Sequence, residues 1–168
     1  MSVEMTKAMK QAISDVLNKM FFLAVQVNEK GIALNEWFSD KRQLAGATIG
    51  FTGPASGFSF LLIPEVVVRE MTANFLGIAE KTVSEKQEKD TVKEALNMIA
   101  GHMFSKFDEK GAFQIGIPLL INEGELLAGQ FGRFNNGAII IETEHSHMAA
   151  GIVIEKADIR QVAEWGKK

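Results

Sequence analysis

The 168 residues include 46% hydrophobic and 23% charged side chains, enough apolar material for one compact domain with its own core and too much for a disordered chain. The absence of cysteine excludes disulfides, thiolate nucleophiles, zinc ribbons and iron–sulfur clusters, and suits a reducing compartment. Eighteen basic and twenty-one acidic residues give a net charge of −3 with no basic run, so the electrostatic footprint of a nucleic-acid binder is missing.

In chain order, Met9, Ala12, Ile13, Val16, Leu17 and Met20 recur at steps of three and four, which predicts an amphipathic helix over Val3–Met20. Phe21–Glu29 reads as a strand. Gln43–Phe51 and Ser56–Ile63 read as a strand pair around the turn Thr52-Gly53-Pro54-Ala55. Pro64 suits a helix start and Gly77 a helix end, so a short helix is expected over Glu65–Leu76. Thr82 and Ser84 each stand three residues before Glu85 or Gln87, the capping-box spacing, and open a long helix that should run to about Phe107. Beyond Asp108-Glu109-Lys110-Gly111, strands are expected at Phe113–Ile121, Gly137–Glu144 and Met148–Glu155, and a last short helix at Ala157–Trp165.

No apolar stretch approaches the ~18 residues of a membrane span. The N-terminus shows no basic segment leading into an apolar run, and the expected location is the cytoplasm. The order of elements repeats, with Asn18 and Asn97 at matching places in the two long helices. The expected architecture is therefore α/β in the α+β sense: one domain over 1–168, an internal duplication with pseudo-repeats of about 1–77 and 82–168, and two long helices on a shared mixed sheet.

The second long helix carries an unusual outer face. At 100° per residue, Val92, Leu96, Ile99, Met103 and Phe107 form one apolar stripe that must face the sheet. Asp90, Glu94, Asn97 and Gly101 fall on the opposite side at spacings of four, three and four. Asn97 has middling helix propensity, and Gly101 costs about 1 kcal/mol relative to alanine in a helix interior. Helix stability does not account for the pair. A glycine on an outer face lowers the surface and lets another molecule approach closely, whereas the plainer alternative is a solvated face with one tolerated glycine.

The string Asp90-Thr91-Val92-Lys93-Glu94-Ala95-Leu96-Asn97, with Gly101 one turn later and Pro118 about twenty residues past the asparagine, resembles the signature of the CheC/CheX chemotaxis phosphatases. The run Glu94–Gly101 is especially similar to the CheX branch. This resemblance implies a CheC-like fold and hydrolysis of the aspartyl phosphate on a CheY-type response regulator. Carried over, Glu94 would bind the regulator's active-site lysine and Asn97 would position the attacking water, with Asp90, Met98 and Gly101 meeting the partner. The magnesium ion would belong to the regulator, and the chain would carry no cofactor or metal of its own. In two-site members the motif stands on both long helices. Here the first copy reads Asp15-Val16-Leu17-Asn18, with Phe22 in the place of Gly101, which implies one active site and, as in the CheX branch, a homodimer.

The alternative function is a non-catalytic binding module of the flagellar-switch or chemotaxis type. Other motifs carry less. His145 and His147 could share a metal but stand at an expected hairpin turn without a third ligand. Gly53-Pro54-Ala55-Ser56-Gly57 lacks the central serine of a nucleophile elbow and reads as a hairpin tip. Gly124–Gly137 holds no phosphate-binding glycine spacing, and Trp37 and Phe38 should cover the edge of the core.

Overall fold

The computed structural model describes residues 3–28, 34–38, 44–108, 111–122 and 130–157. The elements are α1 (Val3–Met20), β1 (Gln26–Asn28), α2 (Leu34–Trp37), β2 (Leu44–Thr52), β3 (Ala55–Pro64), α3 (Glu65–Leu76), α4 (Glu85–Phe107), β4 (Gln114–Ile115), β5 (Leu119–Leu120), β6 (Ala138–Glu142) and β7 (His147–Ala157). Ala157, expected to open a last helix over Ala157–Trp165, instead ends β7, and the rest of that segment lies outside the described residues.

Seven strands form one sheet in the order β1-β6-β7-β3-β2-β4, with β5 also on β2. Every pairing among the described residues is antiparallel, so the sheet is not mixed as expected. The reason is local: β2–β3 and β6–β7 are hairpins, and hairpins return the chain antiparallel. The hairpins meet through β3 and β7 at the centre. Each outer strand then pairs with the other half of the chain, β1 with β6 and β4 and β5 with β2.

Phe58, Phe60 and Leu62 point to one side of the sheet, and Leu61 and Ile63 to the other. Both faces of β3 are buried, which is why its sequence is a nearly unbroken apolar run. The larger core lies between the sheet and α1, α3 and α4. A smaller one sits on the far face, where Leu34 and Phe38 meet Phe60 and Phe134 from the 3₁₀ segment Gln130–Gly137. Phe38 is buried and Trp37 packs half-buried beside it, the edge cover expected of them.

Two expected strands are shorter than their sequence patterns. After α1, Phe21 is fully buried and Phe22 adopts φ +52°. Leu23 N–H bonds back to Leu17 at 3.0 Å, so 21–25 wraps the helix end and β1 begins only at Gln26. Along Phe113–Ile121, Phe51 faces Ile115, while Thr48, three residues earlier, faces Leu119, four residues later. One extra residue is absorbed between β4 and β5, where Pro118 has no N–H to give and Gly116 N–H reaches Gly50 at 2.8 Å. Pro118 thus breaks the sheet's outer strand.

Candidate functional site

Helix α4 is anchored at both ends and along its length. Ser84 Oγ accepts from Gln87 N–H at 3.3 Å and Ser84 N–H donates to Gln87 Oε1 at 2.9 Å, a complete capping box. Thr82 instead ends a 3₁₀ turn at Glu80–Thr82. Arg69 of α3 pairs with Glu88 at 2.9 Å. At the other end the Asp108 carboxylate accepts Phe113 N–H at 2.7 Å. Val92, Leu96, Ile99 and Met103 are fully buried, and these contacts set the rotation of the helix about its axis.

That rotation exposes the opposite line. Asp90, Glu94 and Asn97 are exposed, and Gly101 is half-buried above them. Asp90 is held between cations of its own helix, Lys93 at 3.0 Å and Lys86 at 3.7 Å. The Lys93 ammonium, with a smaller contribution from Lys86, keeps the Asp90 carboxyl below its ordinary value, although partial desolvation opposes this. The Glu94 and Asn97 side chains, by contrast, make no hydrogen bond or ion pair with another described residue. A Cβ built on Gly101 meets nothing within 4 Å. The fold places an unpaired acid, an unpaired amide and an open glycine on successive turns of one rigid helix.

The matching residues of α1 are all in use. Asn18 donates to Ser14 O at 2.8 Å and accepts Val25 N–H at 3.4 Å, closing the chain reversal after the helix. Asp15 bonds Lys19 at 2.7 Å and Gln11 at 3.0 Å on its own helix, and Lys106 at 3.1 Å and His102 at 3.2 Å on α4. Phe22 does not stand on the helix face as its spacing from Asn18 suggested, because α1 has ended at Met20. The polar side chains of the first copy are thus occupied within the fold. Its Asp15–Lys19 pair has a helical spacing that a sequence can show, but the His102 and Lys106 contacts join residues 87 and 91 positions apart and leave no local signal.

Lys19, then Gln11 and Lys106, hold the Asp15 carboxyl well below the usual carboxylate range. A depressed folded-state value means that ionised Asp15 supports the fold above its unfolded value near 3.8, and that this support fades as pH falls below it. Asp15→Asn should therefore flatten the acid side of the stability profile. Thermal melts from pH 5 down to pH 2 should show the wild type losing its advantage over the variant, and parallel curves would refute the assignment.

The remaining candidates separate. Thr143 and Ser146 close the β6–β7 turn by backbone and side-chain bonds of 2.8–3.0 Å. His145 is exposed in that turn, whereas His147 lies against Trp37 with ring centroids 4.4 Å apart. Among the described residues no three His, Asp or Glu side chains gather as a metal site. The 52–55 segment is a hairpin turn, and residues 124–129 of the glycine-rich stretch lie outside the described residues. No helix among the described residues is long and apolar enough to cross a membrane.

A family model described as chemotaxis phosphatase CheX matches residues 45–142, more than half of the chain and all of α4. The chain belongs to the chemotaxis phosphatase CheX family. The expectation of a phosphatase of this family, drawn from the Glu94–Gly101 string, is thereby met. No curated protein sequence matches the chain.

Solved structures show the same fold. The chemotaxis protein CheX of Vibrio vulnificus superposes with a TM-score of 0.67 at 17% identity, over 91% of this chain and 97% of that one. CheX of Borrelia burgdorferi, solved as a CheX–CheY–BeF3–Mg complex, gives a TM-score of 0.64 at 17% identity, over 89% and 97%. The FliM middle domain of Vibrio alginolyticus reaches 0.57 at 10% identity, over 96% of both chains. Likeness of fold therefore does not by itself decide what the chain does, whereas the family match names a phosphatase.

Proposed function

We propose that this chain hydrolyses the aspartyl phosphate of a CheY-type response regulator through one site, Glu94 and Asn97 on α4. The observation that carries the proposal is that these two side chains alone on the polar line are exposed, unpaired and one turn apart, beside a glycine with open space above it. The CheX–CheY complex of Borrelia burgdorferi supports a CheY-type partner.

An acyl phosphate is already electrophilic at phosphorus when its charge is neutralised by the metal and lysine of the regulator, so the helper need not supply a nucleophile. Glu94 would pair with that lysine and fix the register of docking. The Asn97 carbonyl would accept a hydrogen bond from a water and aim its oxygen at phosphorus in line with the carboxylate that leaves. The water oxygen bonds to phosphorus as the phosphorus–carboxylate bond breaks, giving phosphate and free aspartate. Asp90, Met98 and Gly101 would meet the partner around this pair. Magnesium would be held by the regulator, with no cofactor on this chain, and a cytoplasmic setting fits such a partner.

Wild-type protein added to a phosphorylated CheY-type regulator should speed phosphoryl loss. Binding without turnover would instead favour a non-catalytic binding module.

The crosswise pairing of outer strands around β3 and β7 supports reading residues 1–168 as one domain of two pseudo-repeats, about 1–77 and 82–168. A homodimer is also part of the proposal. The outer strand at 113–121 offers Ile115, Ile117, Leu119 and Leu120 exposed on a sheet edge, Ile117 to 80%, and an apolar edge of this kind is a template for pairing with a second chain. Ile117→Lys together with Leu119→Glu should convert a sedimenting dimer to monomer, and an unchanged mass would place the contact elsewhere.

A further inference from the structure

Met20 is misplaced for a core residue. On the α1 wheel it falls about 20° from Met9, in the middle of the stripe formed by Met5, Met9, Ile13 and Val16, all of which are buried. Yet Met20 is 43% exposed. The gap that exposes it is a groove of about 480 Å³ between α1 and α4, lined by Asp15, Val16, Met20, Met98, Gly101 and His102 among others. The two helices run antiparallel here, since Asp15 reaches His102 and Lys106 while Met20, further along α1, shares the groove with Met98. Gly101 forms part of the wall and has no side chain to close it.

We infer that this groove is the second half of the regulator-docking surface, with α1 the recognition helix and Met20 a specificity-determining residue. The inference rests on the reading of Glu94 and Asn97 as the site that meets the regulator. A protein that brings its phosphoryl group to Asn97 must cover Met98 and Gly101, because they stand one residue and one turn away on the same helix, and both are walls of the groove. A stable contact covers roughly 800 Å² on each partner, more than four residues of one helix present, so the footprint must spread from α4 to a neighbour. Toward α3 the surface near the start of α4 is crossed by the Arg69–Glu88 pair. Toward α1 it is open and apolar.

Charge selects the same occupant. Lys19 and Lys106 share the single carboxylate of Asp15, leaving the groove rim cationic, which suits a partner made anionic by phosphorylation. Methionine is adaptable enough to accept an apolar side chain from the loops around a receiver's phosphorylation site. Just past Met20, Phe22 is 71% exposed at φ +52°, a strained placement that leaves most of its surface uncovered by the described residues. The first repeat thus keeps recognition after its polar pair has passed to structural use.

The test measures steady-state dephosphorylation of a CheY-type receiver domain charged with acetyl phosphate and magnesium. Met20→Glu should raise KM at least tenfold and leave kcat within about twofold, Met20→Leu should restore wild-type KM, and melting curves of both should match the wild type. A Met20→Glu KM within twofold of wild type overturns the inference, as does a loss confined to kcat. Melting of Met20→Glu well below the wild type overturns it too, because Met20 would then be a core residue. Asn97→Ala is assayed alongside: full activity in that variant overturns the underlying reading, whereas its inactivity with normal Met20→Glu kinetics removes only the docking role of α1.

Discussion

Asn97→Ala is expected to lower kcat for regulator dephosphorylation about a hundredfold or more while leaving regulator binding within about threefold of wild type. The magnitude follows from the role: misplacing a reacting group by about 1 Å can cost a hundredfold, and alanine removes the water's positioning group altogether. Unfolding cannot imitate this result. Asn97 is exposed, its side chain makes no bond with another described residue, and it sits mid-helix, where alanine is the better helix former by several tenths of a kcal/mol. Asn97→Asp is the sharper control, because it keeps the size but offers the phosphoryl oxygens a negative charge, and it should be as slow as alanine. Glu94→Ala should separate from both by raising KM, since a pairing with the regulator's lysine acts on docking. Phosphate release measured over a range of regulator concentrations distinguishes the three, and a wild-type rate for Asn97→Ala would remove Asn97 from the chemistry.

The parts of this molecule that sequence revealed are those governed by local rules. The spans of α1 and α3 follow from periodicity and from Pro64 and Gly77, and the start of α4 from Ser84 and Gln87. The outward line at Glu94 and Asn97 was legible because a 23-residue helix with a clean buried stripe leaves only one way to face. What sequence could not show was set by contacts between distant segments. β1 starts late because Phe21 is drawn into the core and Leu23 bonds back to Leu17, and the strand at 113–121 breaks where its pairing with β2 takes up an extra residue around Pro118, which has no N–H to give. The difference of the first copy was readable at Asp15, where the second copy has Glu94, but the use of its polar atoms within the fold was not. Only the packing of α1 on α4 brings His102 and Lys106 onto the same carboxylate. The exposure of Met20 belongs to the same class, since a wheel assigns it to the core and a groove one helix away removes it.

Substitution of Gly101 should move stability and activity in opposite directions. Among the described residues nothing requires this glycine: it lies mid-helix, its φ is not in the left-handed region, and an added Cβ meets nothing within 4 Å. Gly101→Ala should therefore stabilise the fold by about 1 kcal/mol, which for a domain of this size raises Tm by roughly 2–4 °C. If the glycine serves close approach of the regulator, the same methyl must lift the partner away from Asn97, and Gly101→Leu must do so further. The expected outcome is a stabler protein whose KM rises severalfold for alanine and at least tenfold for leucine, with kcat falling as the partner's phosphoryl group is held back from Asn97. Melting curves and regulator titrations on the same two variants read both effects. A pair of variants that are stabler and fully active would mean that the glycine is merely tolerated, because nothing among the described residues selects it and nothing outside would then need its absence of a side chain. A pair that are stabler and impaired leaves only the partner to explain the cost, since the folded chain itself gains from the change.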